Sequence, residues 1–135
     1  MACYLLKTEP SVYSYEDLVR DKRAVWDGIT NAAALIHLRQ VKTGDRLVIY
    51  HTGDVKAAVG LARSTSDAYA DPSQNDAKRA VVDVMPDGAF PNLVPLSTFR
   101  SDPLLEATDL VRITRLSVVP LTDAQYARIL KLAGL

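Results

Sequence analysis

A chain of 135 residues, nearly half of them hydrophobic and a quarter charged, has the size for one domain (1–135) with a core, and no tract in it predicts disorder. Sixteen basic side chains against sixteen acidic ones exclude broad electrostatic adhesion to duplex nucleic acid, so any such contact has to be local. One cysteine, Cys3, with only His37 and His51 beside it, excludes an internal disulfide and the usual zinc ligand sets; no apolar run reaches membrane-spanning or secretory length, so a cytosolic protein without membrane attachment is expected.

Residues 2–7 are predicted to form a first strand that runs into Lys7-Thr8-Glu9-Pro10, where proline cannot extend a ladder. Ser14, with Asp17 three residues on, marks the start of a short helix. After Val25-Trp26-Asp27-Gly28-Ile29-Thr30-Asn31, which holds the only tryptophan, residues 29–39 predict a second helix with Leu35, Ile36 and Leu38 on one buried side. Lys42-Thr43-Gly44-Asp45 is a turn signal before a strand over 46–51. Gly53-Asp54 marks a hairpin tip, and 55–62 the antiparallel return strand, in which Gly60 signals a bulge or a close backbone approach. Residues 65–78 form the longest polar connection, and the next strand, 79–85, is expected to end at Pro86-Asp87-Gly88. A helical turn follows over 95–99, then a late strand over 115–119 stopped by Pro120. Thr122 and Gln125 form a capping box that opens a C-terminal helix to about Ala133, closed by Gly134. Hairpin-connected strands with short helices between them predict an α+β chain with a small curved or closed sheet.

Two segments carry chemistry. A strand mouth dressed with Lys7, Thr8 and Glu9, and a tryptophan flanked by Asp27 and Gly28, together suggest a small pocket for a flat polar ligand. The alternative makes Trp26 a core residue and Asp27-Gly28 a turn before a helix.

Leu5-Leu6-Lys7-Thr8-Glu9-Pro10, Val25-Trp26-Asp27-Gly28-Ile29, Asn31, Leu38-Arg39, Gly44-Asp45, Tyr50-His51-Thr52 and Arg115-Leu116-Ser117-Val118 span almost the whole chain. In this order they resemble an EVE domain of the PUA-like group. The resemblance implies a PUA-like open mixed β-barrel, a pseudobarrel, with short flanking helices, related to YTH domains. It further implies binding of a modified base, a modified cytosine in DNA or a modified base in RNA, and no cofactor. The chain departs from the family at Cys3-Tyr4, where Tyr-Trp is frequent, and over Ala32–His37, where polar side chains are frequent; that second change bears on ligand choice.

For a nucleobase, flipped or unpaired, Trp26 can supply a stacking face. Asn31 presents donors and an acceptor to a base edge, and Asp27 can accept from an exocyclic amine; the alternative for both is helix capping. Lys7 can meet a phosphate or pair with Glu9, and Arg115 a phosphate or a carboxylate. Thr8, Thr52 and Ser117 can contact ligand or satisfy local backbone. His51 can contact a neighbour or the ligand, and Tyr50 stands second to Trp26 among aromatic candidates, ahead of Tyr4, Tyr13, Tyr15 and Tyr69. The leading expectation is a non-enzymatic reader. The alternative is an ASCH-like hydrolase acting on RNA or a modified nucleoside, with Lys7, Glu9 and His51 as acid–base candidates. A protein-interaction module is a third reading.

Overall fold

Cys3-Tyr4-Leu5-Leu6 carries no alternating polar residue because strand β1 (Cys3–Thr8) lies inside the sheet and is covered on both faces at that end. The computed structural model describes residues 1–74, 76 and 78–135. β1 pairs in parallel with β3 (Arg46–His51) and antiparallel with β7 (Val118–Leu121). β3 turns at Gly53-Asp54 into β4 (Ala57–Ser64), which pairs with the long β6 (Ala80–Pro95). Two short strands complete the sheet against β6: β2 (Ala24–Trp26) and β5 (Tyr69–Ala70). The order β2-β6-β4-β3-β1-β7 is that of a mixed sheet curled into an open half-barrel, with short helices around it, the expected α+β class.

α1 (Tyr15–Asp21) starts at Ser14 with a reciprocal capping box to Asp17. α2 (Ala32–Leu38) starts three residues later than the sequence suggests, because Asn31 caps it: its Oδ1 accepts from the Ala34 amide at 3.0 Å. α3 (Leu96–Ser101), a single 3-10 turn (Leu105–Ala107) and α4 (Asp109–Arg112) follow β6, and α5 (Asp123–Ala133) has the Thr122–Gln125 box at its start and Gly134 past its end. Leu5, Leu6, Leu18, Leu38, Leu47, Val48, Phe99, Leu105 and Ile129 meet in one buried core. No helix among the described residues is long and apolar enough to cross a membrane.

Further expectations are corrected. Ile36, expected on the buried side of α2 with Leu35 and Leu38, is 52 % exposed. The strand predicted to end at Pro86-Asp87-Gly88 runs on to Pro95, because two register shifts against β4 absorb the irregular residues; Ala62 faces Pro86 and Leu61 faces Gly88, leaving Asp87 as the bulged residue. Pro120 does not stop the last strand. It sits within β7, opposite Tyr4, on the edge of the sheet, where a missing N–H costs no ladder bond. The polar connection over 65–78 contains β5, and its residues Asn75 and Ala77 lie outside the described residues.

Gly60 satisfies both of its readings. It sits at a register shift, and a Cβ there would collide with the Tyr15 ring. The Tyr15 hydroxyl donates to the Leu61 carbonyl at 2.6 Å and accepts from the Gly88 amide at 3.2 Å. This contact fixes the start of α1 against the β4–β6 bulge and so sets where the β1–α1 turn stands.

Candidate functional site

Curling the sheet without closing it leaves a seam, and the edge strand β2 and the segment entering the other edge strand, β7, flank the end of β1 there. The cleft in this seam has a volume of about 850 Å³. β1 contributes Lys7 and Thr8, β2 contributes Trp26, the connection to α2 contributes Asp27 and Asn31, and the segment before β7 contributes Arg115 and Ser117. Seven of the ten residues singled out in the sequence thus share one cavity although they span most of the chain.

The indole of Trp26 is only 6 % exposed. It forms a wall of the cleft, with the Tyr13 ring edge-on against it, and is not an open platform. Gly28 turns the following loop at a φ of +77°, with open space where a side chain would begin, so backbone conformation and not crowding calls for glycine here. The capping role of Asn31 uses its oxygen and leaves the two amide hydrogens for the cleft, whereas exposed Asp27 caps nothing among the described residues.

Lys7 makes no ion pair with Glu9. Its Nζ donates to the Thr114 carbonyl at 2.9 Å, and burial pulls its pKa down. The Thr8 hydroxyl donates to the Tyr13 carbonyl at 2.6 Å, the local backbone role open to it. Ser117 accepts the Lys7 amide through its backbone carbonyl at 3.0 Å, which draws the segment before β7 onto β1. Arg115 is exposed and forms no carboxylate pair among the described residues.

Tyr50, His51 and Thr52 lie outside the cleft. Tyr50, on the interior strand β3, is 3 % exposed in the core; it is Tyr13, from the β1–α1 turn, that supplies the second ring. Thr52 stands behind Glu9, donating to its carboxylate at 3.2 Å. His51 accepts the Tyr15 amide on Nε2 at 3.0 Å, and burial holds its pKa below the usual histidine value. It borders a second, largely apolar hollow with Val19, Val55 and Phe90, so Lys7, Glu9 and His51 do not converge. Arg23 and Asp21 also border the cleft, and neither was among the candidates drawn from the sequence. Their one signal was position, just ahead of the Val25-Trp26 segment. The Tyr13 hydroxyl donates to Asp21 at 2.9 Å, and burial followed by that bond pushes its pKa up to about 12.

The family model described as "EVE domain" matches residues 2–132. Thymocyte nuclear protein 1 of Mus musculus is 29 % identical, over 96 % of this chain and 72 % of that protein. A protein of Rhodopseudomonas palustris solved by NMR is 32 % identical, with a TM-score of 0.93 over 99 % of this chain and 94 % of its own. Human THYN1, crystallised in complex with 5-methylcytosine-containing DNA, is 26 % identical with a TM-score of 0.89, over 100 % of this chain and 99 % of its own. An ASCH protein from Zymomonas mobilis, at 11 % identity and a TM-score of 0.57, shares the fold alone.

Proposed function

The chain belongs to the EVE domain family, and we propose on that footing that it is a non-enzymatic reader which takes one modified nucleobase, a modified cytosine in DNA, into the seam cleft. The observation that carries the reading is the convergence, in one cavity of an otherwise charge-neutral chain, of the only tryptophan, a donor amide, a carboxylate and cationic side chains. Human THYN1 with its 5-methylcytosine DNA, matched over the whole chain, supports the choice of ligand.

Each group has work suited to a cytosine. The Asn31 amide hydrogens face acceptors, and the Asp27 carboxylate faces an exocyclic amine; acceptors beside an amine are what the Watson–Crick edge of cytosine offers. Trp26 and Ile29 give apolar lining for the ring and its methyl group. Arg115 and Arg23, which line the cleft, are the phosphate contacts in this reading. A binder is favoured over a hydrolase because His51, the strongest acid–base candidate, borders a different hollow and uses its Nε2 lone pair on backbone.

Trp26 is the only tryptophan, so its fluorescence reports the cleft directly. Titration with short DNA and RNA strands carrying one central cytosine or 5-methylcytosine tests the reading. One buried methyl is worth about 0.8 kcal/mol, so a preference for methylated DNA of roughly fourfold is expected. Equal affinity for methylated and unmethylated strands would remove the assignment, and RNA favoured over DNA would move it to RNA. Hydrolysis of RNA or a nucleoside that disappears in His51→Ala would replace it with the enzyme.

A further inference from the structure

We infer that the cleft draws its base from a paired duplex, and that Val12 fills the place the base leaves in the stack. This rests on the base-binding reading of the cleft given above. Val12 borders the cleft and is 81 % exposed, the most exposed large hydrophobic side chain among the described residues; Val25, at 51 %, borders the same opening. The turn that carries Val12 is tightly held. The amides of Val12 and Tyr13 both donate to the Glu9 carbonyl at 2.9 Å, and Thr8 closes the loop by its bond to the Tyr13 carbonyl. The Glu9 carboxylate accepts from the Ser11 hydroxyl and, on its other oxygen, from Thr52, tying the turn to the β3–β4 loop. A β-branched side chain on such a turn is a rigid apolar projection beside the cavity.

Its chemistry separates two kinds of substrate. Single-strand sites stack successive bases on exposed aromatic rings. The only exposed aromatic ring among the described residues is Tyr69, on β5, which lies outside the cleft lining; Trp26 is nearly covered and Tyr13 partly so. Proteins that unstack a duplex instead insert apolar wedges between base steps, and a contact of that kind offsets part of the few kcal/mol that extrusion of a base costs. Exposed Arg23 and Arg115, on opposite flanks and without a side-chain partner among the described residues, stand where the backbone on either side of the extruded nucleotide would pass.

The test compares wild type, Val12→Ser and Val12→Leu on three DNAs with one central 5-methylcytosine: a single strand, its duplex, and a duplex with a mismatch opposite the modified base. Val12 is too exposed for either substitution to unfold the chain. Val12→Ser is expected to weaken duplex binding about tenfold. It should change single-strand binding less than about twofold, lose little on the mismatched duplex, where the pair is already open, and be rescued by Val12→Leu. Equal losses on strand and duplex, or none on the duplex, would overturn the wedge. Wild-type protein that binds the strand and not the duplex would overturn this inference and leave the base pocket standing; binding to neither would overturn both.

Discussion

The ring of Tyr13 stands edge-on against the indole of Trp26, with centroids 6.4 Å apart and planes at 82°. Tyr13 comes from the β1–α1 turn and Trp26 from β2, so the pair spans the cleft's own wall and makes it part of the core. Aromatic contacts of this geometry contribute about 0.5–1.5 kcal/mol beyond the area they bury.

Trp26→Ala is therefore a stability variant as much as a binding variant. With the side chain 94 % covered, removal should cost about 3–5 kcal/mol, read as a drop in the urea midpoint. Trp26→Phe keeps an apolar ring and should fold with a smaller loss while still weakening oligonucleotide binding. Wild-type stability in Trp26→Ala would show that the ring is not packed as described.

Asn31 separates capping from recognition. Asn31→Ser keeps an oxygen for the Ala34 amide and removes the amide hydrogens, so stability should hold within a few tenths of a kcal/mol while affinity for modified DNA falls. Asn31→Ala loses both and should cost about 1 kcal/mol of stability as well. Undiminished binding by the serine variant would leave Asn31 a cap and nothing more.

His51 makes stability acid-sensitive. Its folded pKa lies below the unfolded value of 6.5, so the unfolded chain takes up its proton first; the contribution is complete above pH 6.5 and is lost as pH falls through the folded pKa. His51→Gln retains an acceptor for the Tyr15 amide without the titration, and unfolding curves across this range should show a flatter acid limb. Its affinity for DNA should match wild type, because His51 is outside the cleft.

Tyr13 acts at the other end of the scale. Its folded pKa is raised from 10 to about 12, so above pH 10 the unfolded chain loses the phenol proton first and stability falls until the folded group also ionises near 12. Tyr69, held against Asp83 and likewise raised to about 12, adds to that slope. Tyr13→Phe should remove its share and leave stability below pH 10 little changed, because the bond it gives up is to exposed Asp21. An ultraviolet titration showing one fewer late-ionising tyrosine in Tyr13→Phe checks the assignment.

Short-range chemistry governs the features legible in the chain alone. The Ser14–Asp17 and Thr122–Gln125 boxes, the β3–β4 hairpin and the apolar run of β1 rest on neighbours within a few residues, and the ordered motifs from Lys7 to Ser117 carried the family with them. Tertiary structure decided the rest. Three-residue β2 is a strand only because β6 pairs with it, β6 outlasts Pro86 and Gly88 only because bulges against β4 take up the mismatch, and β7 accepts Pro120 only because it lies on an edge. The site divides the same way. Polar residue types at the end of β1 and after Trp26 stood out in the chain, but Tyr13 over Tyr50, and His51 behind the cleft instead of in it, follow from how the β1–α1 turn and interior β3 pack. A strand's alternation is local, but the direction in which the sheet bends is fixed by packing across the whole chain.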